Sequence, residues 1–192
     1  MIRGRPCRAG LNDGLGRAGA GDRHGVKMEL PIQPPVAVNP MSMQMHTRMR
    51  VVAVARKWIG TPYSPCEQRI GRGTDCGSLL AGVYSEAGVI PPQPKRSYDW
   101  MAAWAKRDGD AYFLASVFEY STEITEPEVL PGDVVMYKIG RGWSHAAIVA
   151  SWPNEIIHAR RTFGVISEHG LSTMLRCYQR RYFTPFGDRA AC

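Results

Sequence analysis

The sequence predicts an α+β domain in which N-terminal helices pack on an antiparallel β-meander. Two segments before residue 90 carry apolar residues at helical spacing. Four short segments after residue 131 are rich in Val and Ile and are separated by Gly, Pro and Asn. Helices followed by strands are typical of an α+β domain, whereas alternating strands and helices would favour a parallel sheet.

The two helices are bounded by capping and stop residues. The first is expected over residues 47–59, where Met49, Val52, Ala53, Arg56 and Ile59 have the helical spacing of one face, with Gly60 as its stop. The second is capped by Thr74 or Asp75 and ends at Gly88. Its expected buried stripe consists of Leu79, Leu80, Val83, Tyr84 and Ala87.

The second half of the domain is expected to be mainly strand. The expected elements are strands at Asp133–Ile139, Ser144–Ala150, Glu155–Arg160 and Gly164–Ser167, a short helix at Leu171–Tyr178 and a last strand at Arg181–Phe186. Glycines, Pro153 and Asn154 mark the turns between the first four strands, which is the pattern of an antiparallel meander.

Three regions are expected along the chain. Residues 1–46 are interpreted as a disordered basic leader, and residues 47–190 as the folded domain. Residues 91–128 are interpreted as an insertion with a helix-like piece around Trp100–Trp104.

Most of the net positive charge belongs to the leader. Residues 1–50 hold 8 Lys and Arg against 3 Asp and Glu, while residues 51–192 hold 16 against 14. Because no aromatic residue is interleaved with the arginines, a solvated tail is favoured over nucleic-acid binding.

Export signals and structural crosslinks are not expected. No run of about 18 apolar residues suggests a membrane span, and the N-terminus lacks the apolar core of a signal peptide. The 5 cysteines are odd in number and show no short paired spacing, which argues against a disulfide scaffold and a structural zinc site. No cofactor is predicted.

Cys76 is the predicted nucleophile. It lies in the first turn of the second helix, where the helix N-terminus stabilises negative charge and therefore favours the reactive thiolate. Gly77 leaves room for a substrate beside it. The alternative interpretation is a buried, inert cysteine.

His145 and His158 are the predicted partners of this thiol. If their hairpin is symmetric about Ser151 and Trp152, they lie directly opposite each other on one face of the sheet. One ring would then act as the base and the other would orient it. Zinc is a competing use of the pair, but the three residues lack the close spacing of metal ligands.

The motifs together resemble the NlpC-type peptidases, papain-like cysteine enzymes of bacteria and their phages. The matching segments are Gly60-Thr61-Pro62-Tyr63, Thr74-Asp75-Cys76, Leu130-Pro131-Gly132-Asp133-Val134, Ser144-His145-Ala146-Ala147-Ile148-Val149 and Ile156-Ile157-His158-Ala159. They cover roughly residues 50–186 in the usual order of the family.

The resemblance implies a cysteine endopeptidase that cleaves peptidoglycan stem peptides through a thioester acyl-enzyme, often between D-glutamate and a diamino acid. It implies catalytic roles for Cys76, His145 and His158. Substrate contacts are expected from Tyr63, Asp75, Gly77 and Ser144, although the family usually has serine where Gly77 stands.

Two other functions remain open. The chain could be a phage-tail or gene-transfer-particle component with a hydrolase fold, or an acyltransferase or amidase that shares the acyl-enzyme. The expected location is cytoplasmic or phage- or particle-associated, with action at the cell wall and possible contacts to particle proteins.

Overall fold

The computed structural model describes residues 39–94 and 109–187. Contacts divide the chain after residue 36, and every described element lies in residues 37–192. The helices are α1 (Pro40–Lys57), α2 (Cys76–Glu86) and α3 (Gly109–Tyr120), with a 3-10 turn at Glu126–Glu128. The strands are β1 (Gln68–Arg69), β2 (Gly73–Thr74), β3 (Thr122–Ile124), β4 (Val134–Ile139), β5 (Gly142–Ser151), β6 (Glu155–Arg160), β7 (Gly164–Glu168) and β8 (Arg180–Thr184).

The strands form a small hairpin and one larger sheet. Strands β1 and β2 pair within the loop expected between the first two helices. The six other strands form an antiparallel sheet in the order β3-β8-β4-β5-β6-β7. Strands β4 to β7 are the predicted meander, so the predicted α+β class is confirmed.

Apolar side chains cover both faces of the large sheet. On one face, side chains such as Met136 and Ile148 pack with the helices, including Leu79 of α2. On the other face, Val149 and its neighbours pack with Leu175 from the loop before β8. Burial on both faces explains why β4 to β6 are almost continuously apolar.

Helix α1 begins at Pro40, seven positions before the expected start. The Asn39 side chain accepts a hydrogen bond from the backbone N–H of Met41 and caps it. The expected face included Met49, which is exposed, whereas Arg48 is buried. The buried apolar side chains of this helix are Val51, Val52, Val54 and Ala55.

Arg48 fastens α1 to the sheet and explains which face of the helix is buried. Its guanidinium lies 2.7 Å from the Asp133 carboxylate, at the entry to β4. It also donates to the carbonyl of Pro131 and to Oγ1 of Thr184 in β8. Burial raises the pKa of Asp133, while the backbone N–H of Leu130 and the Arg48 guanidinium oppose that rise.

Two other segments differ from expectation. Leu171–Tyr178 forms turns instead of a short helix. The N–H groups of Leu175 and Arg176 both donate to the carbonyl of Ser172, and that of Tyr178 donates to the carbonyl of Leu175, so the hydrogen bonds close separate turns and do not build a continuous helix. Strand β8 begins at Arg180 and ends at Thr184, two residues before the expected end.

The region 91–128 contributes to the sheet as well as covering it. Helix α3 packs against β5, and β3 pairs with β8 at the edge of the large sheet. The end of the expected insertion is thus an edge strand of the main sheet. The expected helix around Trp100–Trp104 lies outside the described residues, and the division at residues 46 and 47 remains a prediction.

None of the helices in residues 39–94 and 109–187 is both long and apolar enough to cross a bilayer.

Candidate active site

Cys76 is the first residue of α2, and Asp75 is its N-cap. One carboxylate oxygen of Asp75 accepts the N–H of Ser78 at 2.7 Å, which is the usual capping contact. The other oxygen accepts the N–H of Cys66 at 2.8 Å. Asp75 therefore fixes both the helix start and the loop beside it.

The sulfur of Cys76 lies beside the strand that carries His145. Its Sγ atom is 3.8 Å from the carbonyl oxygen of Ser144, the residue directly before His145. Standard peptide geometry then places the Cα atom of His145 no more than about 7 Å from the sulfur. The two predicted reacting residues are thus within side-chain reach of each other.

His145 and His158 contact each other through their rings. Nε2 of His145 is 2.7 Å from Nδ1 of His158, and the ring centroids are 5.0 Å apart at an angle of 67°. Since Nε2 of His145 is engaged by this contact, Nδ1 is the ring nitrogen that remains for a proton from another group.

The register of the hairpin differs from the prediction by two residues. Ile148 pairs with Ile157, so the continued register places His158 opposite Ala147 and not opposite His145. An offset of two keeps both rings on the same face, because side chains alternate with a period of two. The rings meet diagonally, a distance that long or aromatic side chains can bridge.

Glu168 extends this chain of contacts and was not singled out from the sequence. Its Oε1 atom is 2.7 Å from Nε2 of His158, a hydrogen-bond distance, although the ring N–H is not well aligned with the oxygen. Arg160 lies 3.4 Å from the same oxygen. Glu168 pairs with Ile156, so it shares a face with His158, and a carboxylate at that strand position is the signal that could have revealed it.

Both imidazoles are held in their neutral forms. Burial is the largest cause that lowers the pKa of His145, and the positive charges of His158 and Arg160 lower it further. Burial also lowers the pKa of His158, again with help from Arg160. A neutral His145 has a lone pair and can accept a proton at neutral pH.

The comparisons with known proteins agree with this geometry. The family model described as "NlpC/P60 family" matches residues 59–184. The chain belongs to the NlpC/P60 family. No curated protein sequence matches it.

Solved structures share the fold at low sequence identity. The peptidoglycan hydrolase RipB from Mycobacterium tuberculosis aligns at a TM-score of 0.52 and 16% identity, over 77% of this chain and 68% of that chain. The P60 domain of an antigen from M. avium subspecies paratuberculosis aligns at a TM-score of 0.50 and 16% identity, over 76% and 98%. A lipoprotein-like NLP/P60 protein from Staphylococcus aureus aligns at a TM-score of 0.49 and 21% identity, and this chain spans 41% of its length.

Tyr63 lies near Cys76 in this NlpC/P60 domain. It forms a backbone bridge with Thr74, two residues before Cys76. Burial raises the pKa of Tyr63 to about 12, and negative charge at Cys76 and Asp75 adds to the rise. The phenol therefore keeps its proton at neutral pH and is a hydrogen-bond donor.

Gly77 and Ser144 occupy different surroundings. Gly77 lines a cavity of about 430 Å³ between α2 and α3, together with Leu80, Tyr84 and Phe113. The hydroxyl of Ser144 donates to the carbonyl of Ile139, so its backbone carbonyl and not its hydroxyl approaches the sulfur.

The turn between β6 and β7 is bound to the loop that leads to Tyr63. The N–H of Gly60 donates to the carbonyl of Val165 at 2.8 Å, and the N–H of Val165 donates to the carbonyl of Thr61 at 2.8 Å. Gly164 packs so closely on Thr61 that a methyl group at its Cα would overlap the Thr61 carbonyl.

Among the residues with described positions, no group of three His, Cys, Asp or Glu side chains is arranged to hold a metal ion. Cys66, Cys76 and Cys177 are thiols.

Proposed function

We propose that this NlpC/P60 domain is a cysteine peptidase that hydrolyses amide bonds in peptidoglycan peptides. Family membership supports a hydrolase, and a structural neighbour with the same fold is named a peptidoglycan hydrolase. The observation that carries the proposal is the position of the Cys76 sulfur, 3.8 Å from the carbonyl that directly precedes His145.

In the first half of the proposed reaction, Nδ1 of His145 accepts the proton of the Cys76 thiol. The sulfur then forms a bond to the carbonyl carbon of the substrate amide. The N–H of Cys76, at the start of α2, faces the oxygen on which negative charge develops. When the tetrahedral intermediate collapses, the carbon–nitrogen bond breaks and His145 returns its proton to the departing amine.

The second half releases the thioester. A water molecule gives a proton to His145 and its oxygen attacks the thioester carbon. The carbon–sulfur bond breaks, the carboxylic acid leaves, and the sulfur regains a proton. An acyltransferase would use an amine in place of water at this step, so products formed in the presence of added amines distinguish the two activities.

A single substitution tests the proposal. The wild-type protein and Cys76→Ala are incubated with purified peptidoglycan fragments, and the products are identified by mass spectrometry. We expect cleavage, including between D-glutamate and the diamino acid, with the wild type and none with Cys76→Ala. Cys177→Ala is the matched control, because Cys177 is an exposed thiol outside the site. Cleavage by folded Cys76→Ala would refute the cysteine mechanism.

The place of action is also part of the proposal. We propose a cytoplasmic or a phage- or gene-transfer-particle-associated location, with action at the cell wall. An inactive particle component would have a Cys76 no more reactive than free cysteine, so site-resolved thiol labelling at neutral pH distinguishes the enzyme from a structural role.

A further inference from the structure

Glu168 is the outermost member of a line of polar groups that runs from His145 through His158. Its carboxylate lies 2.7 Å from Nε2 of His158, and Nδ1 of His158 lies 2.7 Å from Nε2 of His145. The His158 side chain is 1% exposed and that of Glu168 is 17% exposed. Little water therefore competes for these contacts.

A neutral histidine carries one proton on one of its two ring nitrogens, and the neighbouring group decides which. A carboxylate only accepts hydrogen bonds, so Glu168 favours the proton on Nε2 of His158. Nδ1 of His158 is then a lone pair and accepts the proton of His145 Nε2. His145 is left with a lone pair on Nδ1, the form that can take a proton from the thiol.

The opposite arrangement is disfavoured by the same contacts. If His158 carried its proton on Nδ1, the lone pair of its Nε2 atom would lie 2.7 Å from a negatively charged Glu168 oxygen, with no proton between them. His145 would accept at Nε2 and carry its proton on Nδ1, and it could not act as a base toward Cys76. Without Glu168, nothing else among the described contacts of these rings selects between the two forms.

Arg160 holds the carboxylate in place. Its guanidinium is 3.4 Å from the Glu168 oxygen and offsets the negative charge. The other groups that face the pair are Tyr137 of β4, whose ring centroid is 6.1 Å from that of His145, and the two histidines themselves. Since burial keeps both imidazoles neutral, the choice between their neutral forms decides whether His145 can act as a base.

We propose that Glu168 is a positioning residue that holds the His158 proton on Nε2 and thereby presents Nδ1 of His145 to Cys76 as a lone pair. The catalytic consequence rests on the proposed peptidase function. The selection of the proton positions does not, so it is measured without substrate.

The test compares Glu168→Ala with Glu155→Ala. Glu155 is a matched control because it is also a sheet carboxylate paired with an arginine, Arg56, at 2.7 Å, yet it contacts neither histidine. Nitrogen-15 NMR of the histidines should show both wild-type rings protonated on Nε2 and a mixture of forms in Glu168→Ala. The rate at which iodoacetamide alkylates Cys76, resolved by peptide mass spectrometry, and kcat should each fall about 10–100-fold, by analogy with the loss of groups that orient metal-bound histidines. KM should stay unchanged.

Conservative variants separate positioning from folding. Glu168→Asp keeps the carboxylate and should recover part of the rate, whereas Glu168→Leu has no acceptor and should not. If Glu168→Ala does not fold, Glu168→Leu carries the same measurements. Wild-type nitrogen shifts and alkylation rate in a folded Glu168→Ala or Glu168→Leu would overturn the proposal. A wild type that cleaves no peptidoglycan, but whose histidine forms respond to these substitutions, would refute the peptidase function and leave the role of Glu168 standing.

Discussion

His145 and His158 contact each other from diagonal positions of two paired strands, with Nε2 of the first 2.7 Å from Nδ1 of the second. This contact occupies Nε2 of His145 and leaves Nδ1 as its other ring nitrogen. The two rings therefore act as one unit, and the effects of changing them should not add.

Histidine substitutions test this unit. We expect His145→Ala to lower kcat about 10²–10⁴-fold, because it removes the base. His158→Ala should lower kcat less, about 10–100-fold, because it removes only the orienting ring. The double variant should be no slower than His145→Ala. Steady-state kinetics on peptidoglycan fragments checks this, with His169→Ala as an exposed control. Additive losses would contradict a shared unit.

The buried histidines also predict how stability depends on pH. Their pKa values are lowered in the folded protein, so below about pH 6.5 the unfolded chain binds protons that the folded protein does not. Stability is therefore fully present above this pH and falls as the pH drops toward the folded values. The loss is at most about 1.4 kcal/mol per pH unit for each histidine. Urea unfolding at pH 7 and 5 measures it, and His158→Gln should reduce the slope. An equal slope in that variant would rule out this contribution of His158.

The Arg48–Asp133 pair should be the more costly of two ion pairs to break. Both side chains are buried, so Arg48→Met leaves a carboxylate without its cation and should cost about 3–5 kcal/mol. Lys57→Met breaks the Lys57–Glu86 pair, whose side chains are 59% and 42% exposed, and should cost less than about 1 kcal/mol. Chemical denaturation gives both values. Similar costs would mean that Arg48 does not anchor α1.

Alanine substitutions at Gly164 and Gly140 distinguish the stability cost of steric overlap from that of backbone strain. Both have positive φ, 72° and 75°, but a Cβ atom at Gly140 meets nothing within 4 Å, whereas one at Gly164 overlaps the Thr61 carbonyl. Gly140→Ala should cost about 1–3 kcal/mol from strain alone, and Gly164→Ala should cost clearly more. Thermal melting of the two variants checks the order, and equal losses would contradict the overlap.

Alternation and capping made much of the fold predictable from the sequence. The pair Thr74 and Asp75 predicted the start of α2, where Asp75 is the cap, and the strand of Glu155–Arg160 was predicted with its observed bounds. The start of α1 was missed because Pro40 and its Asn39 cap lie in a stretch without a hydrophobic period. The prediction of its buried face was wrong because the ion pair between Arg48 and Asp133 fixes which face packs on the sheet. Asp133 is distant in sequence, so the local pattern of apolar residues does not indicate this pair.

The site shows the same division between local and distant information. Helix capping and strand parity were enough to bring Cys76, His145 and His158 into consideration. The register between β5 and β6 depends on an irregularity between Val149 and Ser151, and no pattern in the sequence predicts that irregularity. Glu168 was missed because its strand was expected to end one residue earlier, and its meaning appears only when β6 and β7 are paired.

The hydrogen bonds of Val165 to Gly60 and Thr61 have a mechanical consequence. The hairpin of β6 and β7 carries His158 and Glu168, and these hydrogen bonds also join it to the loop that leads to Tyr63. A displacement of that hairpin would therefore move His158 and Glu168 together with the segment that carries Tyr63. The spacing between the two histidines and the position of the Tyr63 side chain are thereby mechanically coupled.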